Sequence, residues 1–245
     1  MITQFTRRGA LRLGLSGLVA PALLRTASAA AEAPVLVELF TSQGCSDCPP
    51  ADKLAGELAG LPGVQVVSLN VDYWDYLGWH DTLGRPEYSR RQQDYAKARG
   101  DGEVYTPQMV INGERHVVGS NRPAVEAAIA AARLRAAQVP VSVATGGGML
   151  DISVGALAGE NGTLWVMGIA PQVNVTIARG ENAGASLAYH NVVRRLIRVG
   201  SWAGAAQGFK LAETALRDGE CKSCVAVLQQ GQLGRVLGLA SLTLS

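Results

Sequence analysis

The sequence predicts an α/β domain followed by a smaller, mostly-β, sandwich-like one. Three observations predict it. Strand-like and helical apolar runs alternate from Val35 to Ala132. Two cysteines, Cys45 and Cys48, stand where the first strand-like run gives way to the first helical one. Near Val139 the texture changes to short β runs broken by glycine.

Val35–Phe40 is a continuous apolar run, the pattern of a strand covered on both faces. Ala51, Leu54, Ala55 and Leu58 recur at helical spacing, and Gly60 with Pro62 ends that helix. Val64–Leu69 is a second strand. Met109–Ile111, Asn112-Gly113 and Arg115–Val118 read as a hairpin with a type I′ turn. Val125, Ala128, Ile129 and Ala132 form a last amphipathic helix, with Asn121 as its N-cap. A βαβ unit, a hairpin and a helix, in that order, make the minimal thioredoxin-like arrangement. We assign it to residues 34–138, with an insert at 72–105. Residues 139–245 form the β-rich part, with runs at Val141–Ala144, Leu150–Val154, Leu164–Ile169, Val173–Ile177, Val192–Val199, Cys224–Gln229 and Val236–Leu239.

Cys45-Ser46-Asp47-Cys48 has the spacing of thiol–disulfide exchange, since two sulfurs so placed cycle between dithiol and disulfide with little backbone movement. In that reading Cys45 attacks and Cys48 resolves. Pro49-Pro50 sets the helix start at Pro49, and Asp47 opposes thiolate formation. Thr106-Pro107 precedes the third strand, where a cis-proline would face the cysteines and offer backbone groups to a bound peptide. Asp72 and Trp74, at the start of the insert, stand with Thr106 and Pro107 as candidate substrate-binding residues. The insert's aromatics serve equally as packing for a covering helix. Cys221 and Cys224 read first as a structural disulfide, then as a second redox pair, and least as part of a zinc site. No metal site and no cofactor is assigned. His80, His116 and His190 are isolated, and Gly180-Glu181-Asn182-Ala183-Gly184 reads as a turn.

The chain opens on a targeting pattern: Arg7-Arg8, a mildly apolar stretch from Leu13 to Leu24, and Ala27-Ser28-Ala29 as a cleavage site. This resembles a twin-arginine signal at residues 1–29, with an ordinary Sec signal as the alternative. Its loss would remove Arg7, Arg8, Arg12 and Arg25 and no acid, moving the formal charge from +2 to −2. The basic balance therefore belongs to the precursor and gives no support to nucleic-acid binding. The expectation is a periplasmic or secreted protein that meets the membrane only during export. In such a compartment cysteine pairs persist as disulfides.

Glu38 through Asp52 (ELFTSQGCSDCPPAD), Val71 through Trp79, Tyr105-Thr106-Pro107-Gln108, and Gly180-Glu181-Asn182-Ala183-Gly184 through Arg194 resemble a bacterial exported family catalogued as domain of unknown function 1223. The resemblance implies a thioredoxin-like first domain and a β-rich second one, and supplies no function. Cys221 and Cys224 lie outside its motifs.

The residues themselves point to a periplasmic thiol–disulfide oxidoreductase acting on protein or small-molecule thiols and disulfides. A soft-metal (copper) binding protein using the same two sulfurs and a non-catalytic binding module on the same scaffold are the alternatives.

Overall fold

Every residue from Val35 to Thr41 is buried, because this strand lies inside a sheet that is covered on both faces. The computed structural model describes residues 34–135, 138–216 and 220–244. The export segment expected at 1–29 lies outside them. In chain order the elements are β1 (Val35–Thr41), α1 (Pro49–Ala59), β2 (Val64–Asn70), α2 (Pro86–Arg99), β3 (Gln108–Ile111), β4 (Arg115–Val118) and α3 (Arg122–Arg133). They are followed by β5 (Val141–Gly146), β6 (Met149–Val154), β7 (Gly162–Thr176), β8 (Ser186–Trp202), β9 (Gln207–Ala212), β10 (Ser223–Gln230) and β11 (Val236–Thr243). Among the described residues no helix is long and apolar enough to cross a membrane.

The fold is a mixed α/β arrangement with a large eight-stranded sheet, ordered β11-β10-β7-β8-β2-β1-β3-β4, and a small sheet ordered β5-β6-β9. β1 and β2 run parallel, β3 adds antiparallel to β1, and β4 adds antiparallel to β3. The texture change at Val139 does not break the sheet: β8 lies parallel beside β2 at Ser68 and Val192.

Alternation assigns the two faces of the large sheet. Leu36, Phe40, Val67, Leu69, Met167, Ile169, Val225 and Val227 form one apolar cluster, closed by Tyr88 and Tyr95 of α2. Val35, Val37, Leu39, Val66, Met109 and Ile111 point the other way, onto Leu54 and Leu58 of α1 and Val125 and Ile129 of α3. Leu164, Val166, Ala226 and Leu228 pack instead on Leu150, Ile152 and Val154 of the small sheet. The insert's helix α2 therefore covers strands from both halves of the chain.

One polar network pins that helix. Arg91 Nε donates to Glu38 Oε1 at 2.7 Å, and Arg91 Nη2 donates to Gln229 Oε1 at 2.8 Å. The Tyr95 hydroxyl donates to Glu38 Oε2. Burial disfavours the Arg91 charge, but Glu38 and Tyr95 more than offset it and raise its pKa. β1, α2 and β10 are thus joined by groups that would each cost several kcal/mol if left alone.

Two local readings change. Leu164–Ile169 and Val173–Ile177 are not two strands but the single 15-residue β7. Pro171 falls beyond the end of β10 pairing, where β7 has a free edge and a missing N–H is tolerated. β9, in which Gly208 and Lys210 interrupt the apolar residues, carries no apolar run and is legible only as a partner of β6. The hairpin turn is as its dipeptide predicts, with φ of 48° at Asn112 and 74° at Gly113.

Candidate functional site

The first strand–helix turn holds a Cys45–Cys48 disulfide, with the two Cα atoms 5.4 Å apart. α1 begins at Pro49 with Cys48 as its N-cap, so Cys48 is the sulfur nearer the helix's positive end. Cys48 is fully buried and Cys45 is 4% exposed, while Ser46 and Asp47 between them are open to solvent. Tertiary neighbours cover most of Cys45.

Those neighbours come from three segments. The insert supplies Trp74, whose Cβ lies against Gly44, where an added side-chain carbon would sit at 3.1 Å. Trp74 Nε1 donates to Thr106 Oγ1 at 2.7 Å, and its ring stacks on exposed Tyr76. The Thr106–Pro107 peptide is cis, and the β1–β3 pairing of Phe40 with Gln108 places it at the cysteine end of the sheet. Trp74, Thr106 and Pro107 are therefore brought to the disulfide loop. Asp72 is turned elsewhere: its carboxylate accepts from Ser89 Oγ at 2.5 Å and ties the insert to α2.

The insert also grips the loop from below. Gln43 N donates to Asp81 Oδ2 at 2.7 Å, and Trp79 Nε1 donates to Gln43 Oε1 at 2.8 Å. Asp81 is buried, which raises its pKa, while the N–H groups of Gln43 and Leu83 and the Asn70 amide hold part of the charge.

The third segment is the tip of the β7–β8 arm. Asn182 Nδ2 donates to the carbonyls of Gln43 and Cys45, both at 2.9 Å, and Ser46 N donates to Glu181 Oε2 at 3.3 Å. The sequence reading of Gly180–Gly184 as a turn missed this contact. The available signal was its place in the family resemblance, since spacing of over a hundred residues says nothing about contact.

Asp52, one helical turn after Cys48, is a further residue that motif reading passed over. Its backbone N–H donates to the Cys48 carbonyl at 3.1 Å, and its side chain is 3% exposed. Neither carboxylate oxygen has a hydrogen-bond partner of good geometry; the Thr41 and Tyr189 hydroxyls and Asn70 Oδ1 are buried in the same condition. Burial pushes the Asp52 carboxyl up to about 8, against a smaller opposing pull from Thr41. It is thus an acid that keeps its proton at neutral pH. It lines a cleft of about 390 Å³ with Pro49, Gly56, Ser186, Leu187 and His190.

Cys221 and Cys224 are thiols here, and the disulfide expected between them is not formed. Cys224 sits in β10 opposite Gly168, inside the core beneath the small sheet. Cys221 Sγ lies over Gly168, 3.0 Å from where a side-chain carbon would stand, and so shares a sheet face with Cys224. Burial pushes the Cys224 thiol up to about 11. Among the described residues no three His, Cys, Asp or Glu side chains are grouped to hold a metal ion.

Compared with known proteins, the chain resembles a crystal structure of protein AGR_C_4864 from Agrobacterium tumefaciens. The two share 32% identity and a TM-score of 0.77 over 86% of this chain and 95% of the other. HBP35 of Porphyromonas gingivalis matches at 13% identity and a TM-score of 0.61, over 87% of this chain and 76% of that one, a likeness of fold alone. No curated protein sequence matches. The model of the family described as "Protein of unknown function (DUF1223)" matches residues 36–229, and the chain belongs to that family.

Proposed function

We propose that this protein is an exported thiol–disulfide exchange protein whose first half is thioredoxin-like and whose reactive pair is Cys45–Cys48. The observation that carries the reading is a disulfide at a strand–helix turn with Thr106, Pro107 and Trp74 gathered beside it. Export rests on the paired arginines and the Ala27-Ser28-Ala29 pattern, and it sets the compartment in which the pair works as periplasmic or secreted.

The exchange runs without an organic cofactor. A substrate thiolate attacks Cys45 Sγ, the Cys45–Cys48 bond breaks, and the Cys48 sulfur departs with the electron pair. The protonated Asp52 carboxyl, one turn along the helix, supplies the proton that Cys48 takes. A second substrate thiolate then attacks the mixed disulfide and releases Cys45. The net change is one protein disulfide reduced and one substrate disulfide formed, and in reverse Cys48 resolves the mixed disulfide. Thr106 and Pro107 form the docking edge, with Trp74 as its wall.

The test is trapping. Cys48→Ala should accumulate mixed disulfides with disulfide-bearing partners in envelope extracts, because its Cys45 thiolate attacks them and no resolving thiol remains, and Cys45→Ala should trap far fewer. Equal trapping by the two would sink the assignment of roles alone. A pair that never forms a disulfide in solution, yet binds Cu(I) tightly, would sink the exchange reading.

A further inference from the structure

Two acidic residues border the disulfide loop. Asp47 lies between them on the exposed part of the loop, and Glu181 sits on the neighbouring Ser46 N–H. The fold builds the position of Glu181. At the base of the arm's tip, Ile177 and Ala185 pair backbone to backbone, and Gly184 N donates to the Ile177 carbonyl at 2.8 Å. Ala183 N donates to the Gly180 carbonyl and Ala185 N to the Asn182 carbonyl, closing the loop on itself. Gly180, at a φ of 80°, rests on Trp79, where a side-chain carbon would stand 3.2 Å from that residue's Cβ. Asn182 then fastens the tip to the Gln43 and Cys45 carbonyls.

We propose that this tip makes the disulfide selective for small, positively charged thiols and disulfides (aminothiols), with Glu181 as the specificity-determining residue and Asn182 as the residue that positions it. The inference rests on the reading of Cys45–Cys48 as an exchanging pair. Its physical basis is charge and access. An attacking thiolate brings a negative charge toward a sulfur flanked by two carboxylates, and a reagent that also carries an ammonium group offsets that repulsion. Cys45 is 4% exposed under the tip and Trp74, so a narrow reagent reaches it where a folded surface does not. The chemistry is ordinary exchange: one thiolate forms a mixed disulfide with Cys45 as Cys48 departs, and a second releases the oxidised aminothiol.

The experiment measures reduction of the oxidised full-length protein by cysteamine, mercaptoethanol and mercaptopropionate, with rates expressed per thiolate. The expected order is cationic, then neutral, then anionic, with about a tenfold spread between the extremes at low salt that shrinks as salt is added. Glu181→Gln keeps an acceptor for Ser46 N–H but removes the charge. It should cut the cation-to-anion ratio about threefold with the melting temperature unchanged. Asn182→Ala should lower the same ratio and speed all three reagents together, because it frees the tip. Equal rates for the three thiols, or a wild-type ratio in Glu181→Gln, would overturn the selectivity and leave the exchange reading intact. A lowered melting temperature with an unchanged ratio in Asn182→Ala would overturn that residue's role. Failure of every thiol to reduce the disulfide in the folded protein would overturn both readings.

Discussion

Two pairs of cysteines share one spacing in this chain and occupy opposite kinds of place. Cys45 and Cys48 stand at the end of the sheet, on a turn into a helix, and are joined as a disulfide. Cys221 and Cys224 stand at the start of a central strand, one half-buried and one inside the core, and are thiols. Spacing sets only whether two sulfurs can meet. The reactivity of a thiol follows from its access, the nearby charges and the groups that can take or give its proton. The first pair has exposed loop residues, Trp74 and the cis Thr106–Pro107 peptide at the same end of the sheet, and a protonated acid one turn away. The second has apolar packing, which raises the Cys224 thiol up to about 11 and keeps it protonated.

The largest expected contrast lies in exchange with a small disulfide. Cys45→Ser should abolish it, a loss of 100-fold or more on the order of nucleophile deletions. The Cys221→Ser/Cys224→Ser double variant should stay within about twofold of wild type. Comparable losses in both would make the second pair an electron relay and erase the distinction.

A smaller effect separates the groups by pH. The Asp52 carboxyl has an ordinary value of 3.8, which unfolding restores, and sits at about 8 in the fold. Below about pH 4 both states hold the proton and ionisation of the acid contributes nothing to the difference between them. Between about pH 4 and 8 the unfolded chain releases it while the folded one keeps it, so stability falls as pH rises, and above that range the loss is constant. Asp52→Asn lacks this slope. Its stability advantage over wild type should widen from pH 5 to 8, reaching a few kcal/mol at most. Denaturant titrations that show a pH-independent gap would assign the slope to another group. Replacing Cys224 should shift stability by the same amount at every pH in this window and leave the Asp52 slope in place, because that thiol is protonated in both states until about pH 9.

The smallest effect is kinetic. In the folded, reduced protein iodoacetamide should modify Cys224 last, with a rate that climbs only as pH approaches about 11. Rapid labelling of Cys224 near neutral pH would show that the core over β10 opens, and would bring the two pairs closer in character.

Much of this is written locally in the sequence. The continuous apolar run of β1, the helical spacing after Pro49, the Asn112-Gly113 turn and the Asn121 cap are local patterns, and each is where its chemistry predicts. Cys45, Cys48, Thr106 and Pro107 were legible for the same reason, since a strand–helix turn and a strand start are local features. Asp52 was legible in principle at helical spacing from Cys48, but only its burial makes it an acid that keeps its proton.

What the tertiary structure alone decided are the contacts between distant segments. Asn182 and Glu181 reach the disulfide loop across more than a hundred residues. Asp72 turns to α2 and away from the loop, and β8 joins β2 across the texture change at Val139. The physical reason is the range of the forces involved. Turn, cap and amphipathic preferences act over a few neighbours and are written in order along the chain. Burial, hydrogen-bond partnership and the charge around a thiol depend on which surfaces the fold brings together, and no spacing in the sequence encodes that.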